Sequence, residues 1–167
     1  SPYREKRNVI IFGAGQSGMI TKRTLDRDAG LKYKVLAFID DDPKKSGKIL
    51  EGVAILGIDK LQGMLGKNDV AHLIISAQNI STSKKKELVE SCLEHNTKVL
   101  NVPPVASWIN GELSFKQIKK VKIEELLERD PILLNVDAIE KQNKSKTILV
   151  TGAAGSIGSE IVRQLIS

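Results

Sequence analysis

The sequence is poor in several residue types, and each shortage excludes a class of protein. One cysteine, Cys92, in 167 residues cannot form an intramolecular disulfide, which excludes a small disulfide-stapled scaffold. Aromatic residues are 4% of the chain, too few for the base-stacking platforms of a single-strand nucleic-acid binder. No apolar run approaches the ~18 residues that a membrane-spanning helix requires. We therefore expect a globular protein with no nucleic-acid partner.

Residues suited to metal or redox chemistry are also scarce. His72 and His95 stand without other ligands at metal spacing, so we interpret both as structural and predict no metal site. Cys92 lies in an apolar helical pattern, which predicts that its thiol packs in the core rather than reacts.

Charged residues are plentiful, and cations are in excess. The 26 basic and 20 acidic side chains give a formal charge of +6, which favours an anionic partner. Arg4, Lys6 and Arg7 lie near the N-terminus, and basic residues beside a membrane segment are attracted to anionic lipid headgroups. The three lysines at residues 84–86 are interpreted as a solvated helix face.

The chain is organised around an apolar run that ends in glycines. Residues 8–12 are rich in Val and Ile, which is typical of a short strand buried on both faces of a parallel sheet. Glycines then follow with the spacing G-x-G-x-x-G, and a helix is expected from Ser17. Such a turn passes close to a phosphate, and the helix points its free N–H groups at it. The candidate ligand-binding residues here are Gly13, Gly15, Gln16, Ser17 and Gly18.

A second strand, predicted over residues 34–39, ends in an acidic turn. Asp40 lies 22 residues beyond Gly18, close to the ~20 at which a dinucleotide fold places the acid that binds the adenosine ribose. A carboxylate there repels a 2′-phosphate, so a bound dinucleotide would be NAD rather than NADP. Asp40 and Asp41 are therefore candidate site residues. The alternative is turn chemistry, in which the Asp side chains bond local backbone and Pro43 fixes the turn; both interpretations stay open.

The remaining pattern alternates strands with helices, which predicts an α/β fold: a three-layer Rossmann-like domain with a mostly parallel sheet. The predicted elements are a helix to Asp28, a glycine-punctuated excursion over 44–57 holding strand-like 53–56, a helix over 58–65, a third main strand over 72–75, a helix over 81–95 and a fourth strand over 97–102. Ligands bind such sheets at the carboxyl ends of the strands, which adds Ser76 and Gln78 to the candidate site. Loop capping is the alternative role for these two side chains.

The pattern changes after residue 104. Residues 105–122 show only an Asn110-Gly111 turn signal, residues 123–131 form a short acidic helix stopped by Pro131, and a polar connector follows. Residues 147–158 then repeat the order of strand, glycine turn and helix with the spacing G-x-x-G-x-x-G. We predict an accessory domain over 1–120, a connector over 121–146 and the first β-α unit of a second Rossmann domain over 147–167.

The second glycine turn resembles the cofactor turn of the extended short-chain dehydrogenase/reductases. That resemblance implies NAD bound at Gly152, Gly155, Ser156, Ile157 and Gly158. With F-I-D-D-D-P at 38–43, G-V-A-I-L-G at 52–57 and I-E-E-L-L-E-R-D-P-I at 123–132, nearly the whole chain is similar to the bacterial nucleotide-sugar 4,6-dehydratases of capsule, O-antigen and protein glycosylation pathways.

This resemblance implies a longer NAD-dependent lyase that acts on UDP-N-acetylglucosamine or a close relative. Such an enzyme oxidises C4 of the sugar by hydride transfer to NAD, eliminates water across C5 and C6, and returns the hydride to C6. The family implies membrane helices upstream and the catalytic domain downstream, so we expect no catalytic residue in this chain. We expect a cytoplasmic domain of an inner-membrane-anchored bacterial protein that forms a homo-oligomer.

The ligand of the first domain is left open by these patterns. Its acidic turn and the G-V-A-I-L-G stretch are also similar to the N-terminal domains of bacterial sugar O- and N-acyltransferases, where a nucleotide sugar sits at the glycine turn. The competing interpretations are a second NAD site, a UDP-sugar site and a non-binding scaffold, with CoA as a weaker fourth. A stand-alone regulatory or redox-sensing module that binds NAD or CoA is the alternative function class.

Overall fold

The computed structural model describes residues 5–28, 33–127, 149–152, 154–155 and 162–163. The chain divides into two compact units, residues 1–130 and 131–167. The predicted connector beyond residue 127 and most of the predicted β-α unit over 147–167 lie outside the described residues. The domain boundaries expected from the sequence therefore stay predictions, and the first unit carries the description of the fold.

Strands and helices alternate along the first unit. The described strands are β1 (Arg7–Phe12), β2 (Tyr33–Asp40), β3 (Ile49–Leu50), β4 (Val53–Gly57), β5 (Val70–Ile75), β6 (Lys98–Asn101) and β7 (Lys119–Lys120). The described helices are α1 (Gln16–Arg27), α2 (Leu61–Lys67), α3 (Thr82–Leu93) and α4 (Ile123–Leu127), with 3-10 turns at Ile58–Lys60, Val105–Ser107 and Phe115–Gln117.

The strands form one sheet in the order β3-β4-β2-β1-β5-β6-β7. Strands β4, β2, β1, β5 and β6 run parallel, and β3 and β7 add antiparallel pairs at the two edges. The chain first builds outward from β1 through β2, and later returns to the other side of β1 with β5. The strand order therefore reverses at β1, and the crevice beyond its carboxyl end is where open α/β sheets bind ligands. This topology confirms the predicted α/β fold with a mostly parallel sheet.

The sequence predicted neither of the two edge strands, β3 and β7, and it did not place residues 53–56 in the main sheet. The stretch predicted as part of an excursion is β4, which pairs in parallel with β2, so β5 is the fourth parallel strand rather than the third. A turn at Glu51 and Gly52, both with positive φ, folds β3 back onto β4. Glutamate is rare in that backbone conformation, so the sequence carried only a weak hairpin signal there.

One face of the sheet is covered partly by a helix and partly by a loop segment. Helix α1 contributes Leu25, and the segment after β6 contributes Trp108, Leu113 and Ile118 to the same buried cluster. The predicted Asn110-Gly111 turn is confirmed, because both residues have positive φ and Ile109 and Glu112 form a bridge across it. The carbonyl oxygen of Leu113 accepts a hydrogen bond from Arg27 Nη2 at 3.0 Å, which ties the segment to α1.

The opposite face is covered by helices α2 and α3. Their buried side chains are Leu61, Leu65, Leu88 and Cys92. Cys92 is fully buried, and burial raises the pKa of its thiol to about 12, so the predicted packing role is confirmed. Helix α3 begins as predicted, since the Ser81 side chain accepts a hydrogen bond from the Lys84 N–H at 3.1 Å.

The segment after β6 buries Leu113 against the sheet, so shortening that side chain should lower the stability of the fold. We predict that Leu113→Ala lowers the free energy of unfolding by about 2–4 kcal/mol in urea denaturation, because it removes buried apolar atoms and leaves a cavity. Ile109→Ala, at an exposed position in the same hairpin, serves as the control and should change stability by less than ~0.5 kcal/mol. Equal effects would contradict this packing.

Candidate functional site

A cleft of about 650 Å³ opens at the carboxyl ends of β1, β2 and β5. Its volume lies within the ~300–1,000 Å³ of typical small-molecule sites, and its position is the point where the strand order reverses. All the site residues predicted in the first domain line it: Gly13, Gly15, Gln16, Ser17, Gly18, Asp40, Asp41, Ser76 and Gln78. The structure thus brings together side chains from three separate strand ends.

The three glycines of the first turn are there for different reasons. Gly13 has a φ of +103°, and a Cβ there would lie 2.9 Å from the Ala77 nitrogen. A Cβ on Gly18 would collide with the carbonyl oxygen of Gly13. Gly15 differs, because its φ is an ordinary −97° and no side chain or other backbone segment of the described residues lies within 4 Å of the position a Cβ would take. Packing explains the first two glycines, and at Gly15 the absence of a side chain keeps the cleft open.

Helix α1 begins at this open position without a side-chain cap. Gly15 is the N-cap residue, and no side chain bonds the first N–H groups of the helix. The amides of Gln16, Ser17 and Gly18 therefore stand at the wall of the cleft with no partner within the helix. These amides carry the partial positive charge of the helix N-terminus, which favours an anion beside them.

Asp40 holds the glycine turn against the end of β2. Its Oδ2 accepts hydrogen bonds from the Ala14 N–H at 2.7 Å and from Lys45 Nζ at 3.1 Å, and its Oδ1 accepts one from the Asp42 N–H at 2.8 Å. The side chain is only 11% exposed. Burial raises the pKa of this carboxyl, but the three donors outweigh burial and leave the pKa below its ordinary value. The turn chemistry considered for Asp40 is therefore present, and its contact with a ribose stays a prediction.

Ser76 and Gln78 also hold backbone in place. Ser76 is fully buried, and its hydroxyl lies 2.9 Å from the carbonyl oxygen of Phe12 and 3.1 Å from that of Gly13. Gln78 Oε1 accepts a hydrogen bond from the Val105 N–H at 2.9 Å. Both side chains thus have the loop-fixing role that the sequence offered as the alternative, at positions that still line the cleft.

Two lysines of the cleft were missed at the level of sequence. Lys45 follows β2 and pairs with Asp40, while Lys84 comes from the first turn of α3 and lies 3.4 Å from Asp41 Oδ1. The solvated-face interpretation of residues 84–86 is wrong for Lys84 and Lys85, whose side chains are 23% and 16% exposed, against 61% for Lys86. The sequence position of Lys84 could have indicated its place in the cleft. A helix that follows a parallel strand begins near the carboxyl end of that strand, and Lys84 lies in the first turn of such a helix.

Histidines and other metal-binding groups are not clustered in the part of the chain that the structure describes. His72 packs edge-on against Tyr33, with ring centroids 5.6 Å apart, and His95 Nε2 lies 3.0 Å from Gln62 Oε1. Among these described residues, no three His, Cys, Asp or Glu side chains are placed to hold a metal ion, and no helix has the length and hydropathy to cross a membrane.

The second glycine turn belongs to the second unit and is described only in part. Gly152 has a φ of +68°, and the Gly155 N–H donates to its carbonyl oxygen at 3.0 Å. A Cβ on Gly155 would lie 3.3 Å from that oxygen, which explains a glycine there. Ser156, Ile157 and Gly158 lie outside the described residues. The expected NAD site at this turn stays a prediction.

Comparison with known proteins places this cleft in context. Residues 5–100, more than half of the chain, match the family described as C2185-like, N-terminal. The capsular polysaccharide biosynthesis protein CapD of Staphylococcus aureus is 35% identical over 163 residues, which are 96% of this chain and 27% of CapD. The chain therefore spans little more than a quarter of the length of this curated relative.

Two further proteins are similar to this chain over most of its first unit. The crystal structure of UDP-D-quinovosamine 4-dehydrogenase from Vibrio fischeri aligns with a TM-score of 0.61 and 31% identity, covering 74% of this chain and 99% of that chain. The redox-sensing transcriptional repressor Rex of Desulfitobacterium hafniense is 30% identical over 113 residues, 64% of this chain and 53% of the repressor. The relatives thus include proteins of polysaccharide biosynthesis and sugar modification.

The different roles of the glycines predict different mutational effects. Gly18→Ala should lower the free energy of unfolding by about 1–3 kcal/mol in urea denaturation, because the new methyl group meets the Gly13 carbonyl oxygen. Gly15→Ala should cost less than ~1 kcal/mol, because its side chain enters open space. A Gly15→Ala variant as unstable as Gly18→Ala would show that the open side of Gly15 is needed for folding.

Proposed function

We propose, since the chain belongs to the C2185-like, N-terminal family, that its first unit is an accessory domain that binds the nucleoside diphosphate part of a ligand. The whole protein would then be a longer, NAD-dependent enzyme that modifies nucleotide sugars in polysaccharide biosynthesis. The observation that carries this proposal is the open side of Gly15 at the uncapped start of α1, inside the cleft.

The electrostatics of the cleft favour a diphosphate. The amides at the start of α1 present partial positive charge, and the ammonium groups of Lys45 and Lys84 line the same cleft. A diphosphate approaching the start of α1 meets no side chain at Gly15, and it gains hydrogen bonds from the free amides of α1 and a charge-assisted one from Lys84, while Lys45 keeps its bond to Asp40. A neutral ligand would leave the donors of the helix N-terminus unused, so an anionic group fits this wall best.

Two classes of ligand carry the required diphosphate and ribose. A nucleotide sugar is supported by the relative named UDP-D-quinovosamine 4-dehydrogenase, and NAD is supported by the G-x-G-x-x-G spacing of the first glycine turn. The shared chemistry is the ribose-linked diphosphate, and the two sources differ in what lies beyond it. Direct binding measurements with both ligands therefore decide between them.

The remaining parts of the proposal concern the whole protein. The second glycine turn would hold NAD at Gly152 and Gly155 in the catalytic domain, and the reaction would be the 4,6-dehydration of UDP-N-acetylglucosamine or a close relative. Its support is the similarity of the chain to a capsular polysaccharide biosynthesis protein, together with the glycine turn itself. Membrane attachment and self-association stay predictions from the sequence.

Thermal-shift titration of the 167-residue chain tests diphosphate binding. UDP-N-acetylglucosamine, NAD and CoA would be titrated separately, with free UDP as the minimal probe. We predict that UDP-N-acetylglucosamine or NAD raises the melting temperature by about 5–10 °C at a ligand concentration near ~100 Kd, because only a ligand of the folded state stabilises it.

A pair of glycine variants locates the binding. Gly15→Val should abolish the thermal shift, because its side chain fills the space beside the first amides of α1. Gly63→Ala is the matched control, since a Cβ there also enters open space but lies on α2, outside the cleft. The proposal is wrong if none of the ligands stabilises the unmodified chain, or if Gly15→Val responds as strongly as Gly63→Ala.

A further inference from the structure

We infer that Asp41 and Lys84 form an ion pair across the cleft that a bound ligand takes apart, with Lys84 moving to the diphosphate and Asp41 to a ribose hydroxyl. We call these two residues the bridging pair. The inference rests on the proposed function and names the residues that would determine affinity and ligand choice in the same cleft.

The bridging pair connects the two sides of β1, the strand at which the strand order reverses. Asp41 directly follows β2, and Lys84 lies in the first turn of α3, which follows β5. Since β2 and β5 flank β1 on opposite sides, the 3.4 Å contact between Lys84 Nζ and Asp41 Oδ1 passes over the carboxyl end of β1, where the glycine turn begins. Both residues line the cleft, as does the glycine turn itself.

Asp41 is the more available of the two consecutive carboxylates. Asp40 is nearly buried and already accepts hydrogen bonds from two backbone amides and Lys45, so a ribose would compete with bonds that hold the turn. The Asp41 side chain is 51% exposed, and its carboxylate forms an ion pair with Lys84. Because half of the Asp41 side chain is exposed, water solvates its carboxylate, and ligand contacts can offset the loss of Lys84.

Lys84 is placed to exchange one anion for another. Its ammonium lies between Asp41 Oδ1 at 3.4 Å and Glu87 Oε2 at 3.5 Å, and both distances are longer than a strong charge-assisted hydrogen bond. Its side chain is 23% exposed and extends along the cleft wall from a helix whose own N-terminus is capped by Ser81. A diphosphate offers this ammonium a denser negative charge than either carboxylate.

The exchange assigns recognition of the ribose to Asp41 and leaves Asp40 as the positioning residue of the turn. The carboxylate of Asp41, released from Lys84, accepts a hydrogen bond from a ribose hydroxyl. The same carboxylate repels a 2′-phosphate, so a 2′-phosphorylated dinucleotide is disfavoured at this position. The assignment differs from the one that the spacing of the glycine turn suggests, in which Asp40 binds the ribose.

Calorimetric titration of the 167-residue chain with UDP-N-acetylglucosamine and with NAD tests the bridging pair. We expect Lys84→Gln to weaken binding of the ligand that the unmodified chain takes by about tenfold or more, because a charge-assisted hydrogen bond to phosphate is lost. Lys86→Gln, two residues away on α3 and pointing to solvent, is the matched control and should stay within about twofold.

The carboxylate is tested in the same way. Asp41→Asn should weaken binding by about fivefold, while Asp59→Asn, which removes an exposed carboxylate from a comparable surface pair with Lys60, should leave it unchanged. Melting temperatures measured without ligand should agree within a few degrees for Asp41→Asn, Asp59→Asn and Lys86→Gln, whose side chains are more than half exposed. Lys84→Gln removes a less exposed ammonium that contacts both Asp41 and Glu87, so its binding is compared at a temperature at which its own melting curve shows it folded.

The outcomes separate this inference from the proposed function. If the unmodified chain binds neither ligand, both the proposed function and the bridging pair are wrong. If it binds one of them and Lys84→Gln binds as tightly as Lys86→Gln, the diphosphate site stands and the exchange at Lys84 is overturned. If Asp41→Asn matches Asp59→Asn, the ribose assignment to Asp41 is overturned.

Discussion

The carboxylate of Asp40 is the interaction on which the cleft depends. It joins the end of β2 to the Ala14 amide of the glycine turn, and Lys45 and the Asp42 amide complete its set of donors. An ionised carboxylate this poorly exposed is tolerated because it is hydrogen-bonded on both oxygens. The turn is fixed at Ala14, the next residue, Gly15, is the N-cap of α1, and the free amides of Gln16, Ser17 and Gly18 lie at the wall of the cleft. The residue before the helix N-cap is thus held by a poorly exposed carboxylate at the end of the neighbouring strand.

The cleft separates two uses of polar groups that lie close together. Asp40, Ser76 and Gln78 hydrogen-bond backbone atoms and thereby shape the loops, whereas Lys84 pairs with two carboxylates, those of Asp41 and Glu87, which are both more than half exposed. Groups of the first kind fix the geometry of the site before any ligand arrives. Groups of the second kind can change partners at little cost, because screened ion pairs stabilise the fold weakly. A cleft whose loops are fixed before binding, and whose charged side chains Asp41 and Lys84 can change partners, is suited to an anionic ligand.

Much of this arrangement could be predicted from the sequence, because glycine spacing and strand ends are local signals. The nine residues predicted for the first domain's site all line one cleft, since parallel strands deliver their carboxyl ends to the same edge. What the sequence could not predict was pairing between distant elements. The place of β4 beside β2, the cover formed by Trp108 and Leu113, and the entry of Lys84 into the cleft all depend on tertiary contacts. The hydrogen bond from the Ala14 N–H to the Asp40 carboxylate is another tertiary contact of this kind.

We propose above that a ribose-linked diphosphate binds against the glycine turn of the first unit. The most direct measurement is an amide NMR titration of the ¹⁵N-labelled chain with UDP-N-acetylglucosamine and, separately, with NAD. We predict that one of these ligands causes saturable shifts that are largest at the amides of Gly15, Gln16 and Ser17. Diphosphate binding at the glycine turn would be contradicted if neither ligand shifted these amides. It would also be contradicted if the largest shifts fell at the amino ends of β5 and β6, around Val70 and Lys98.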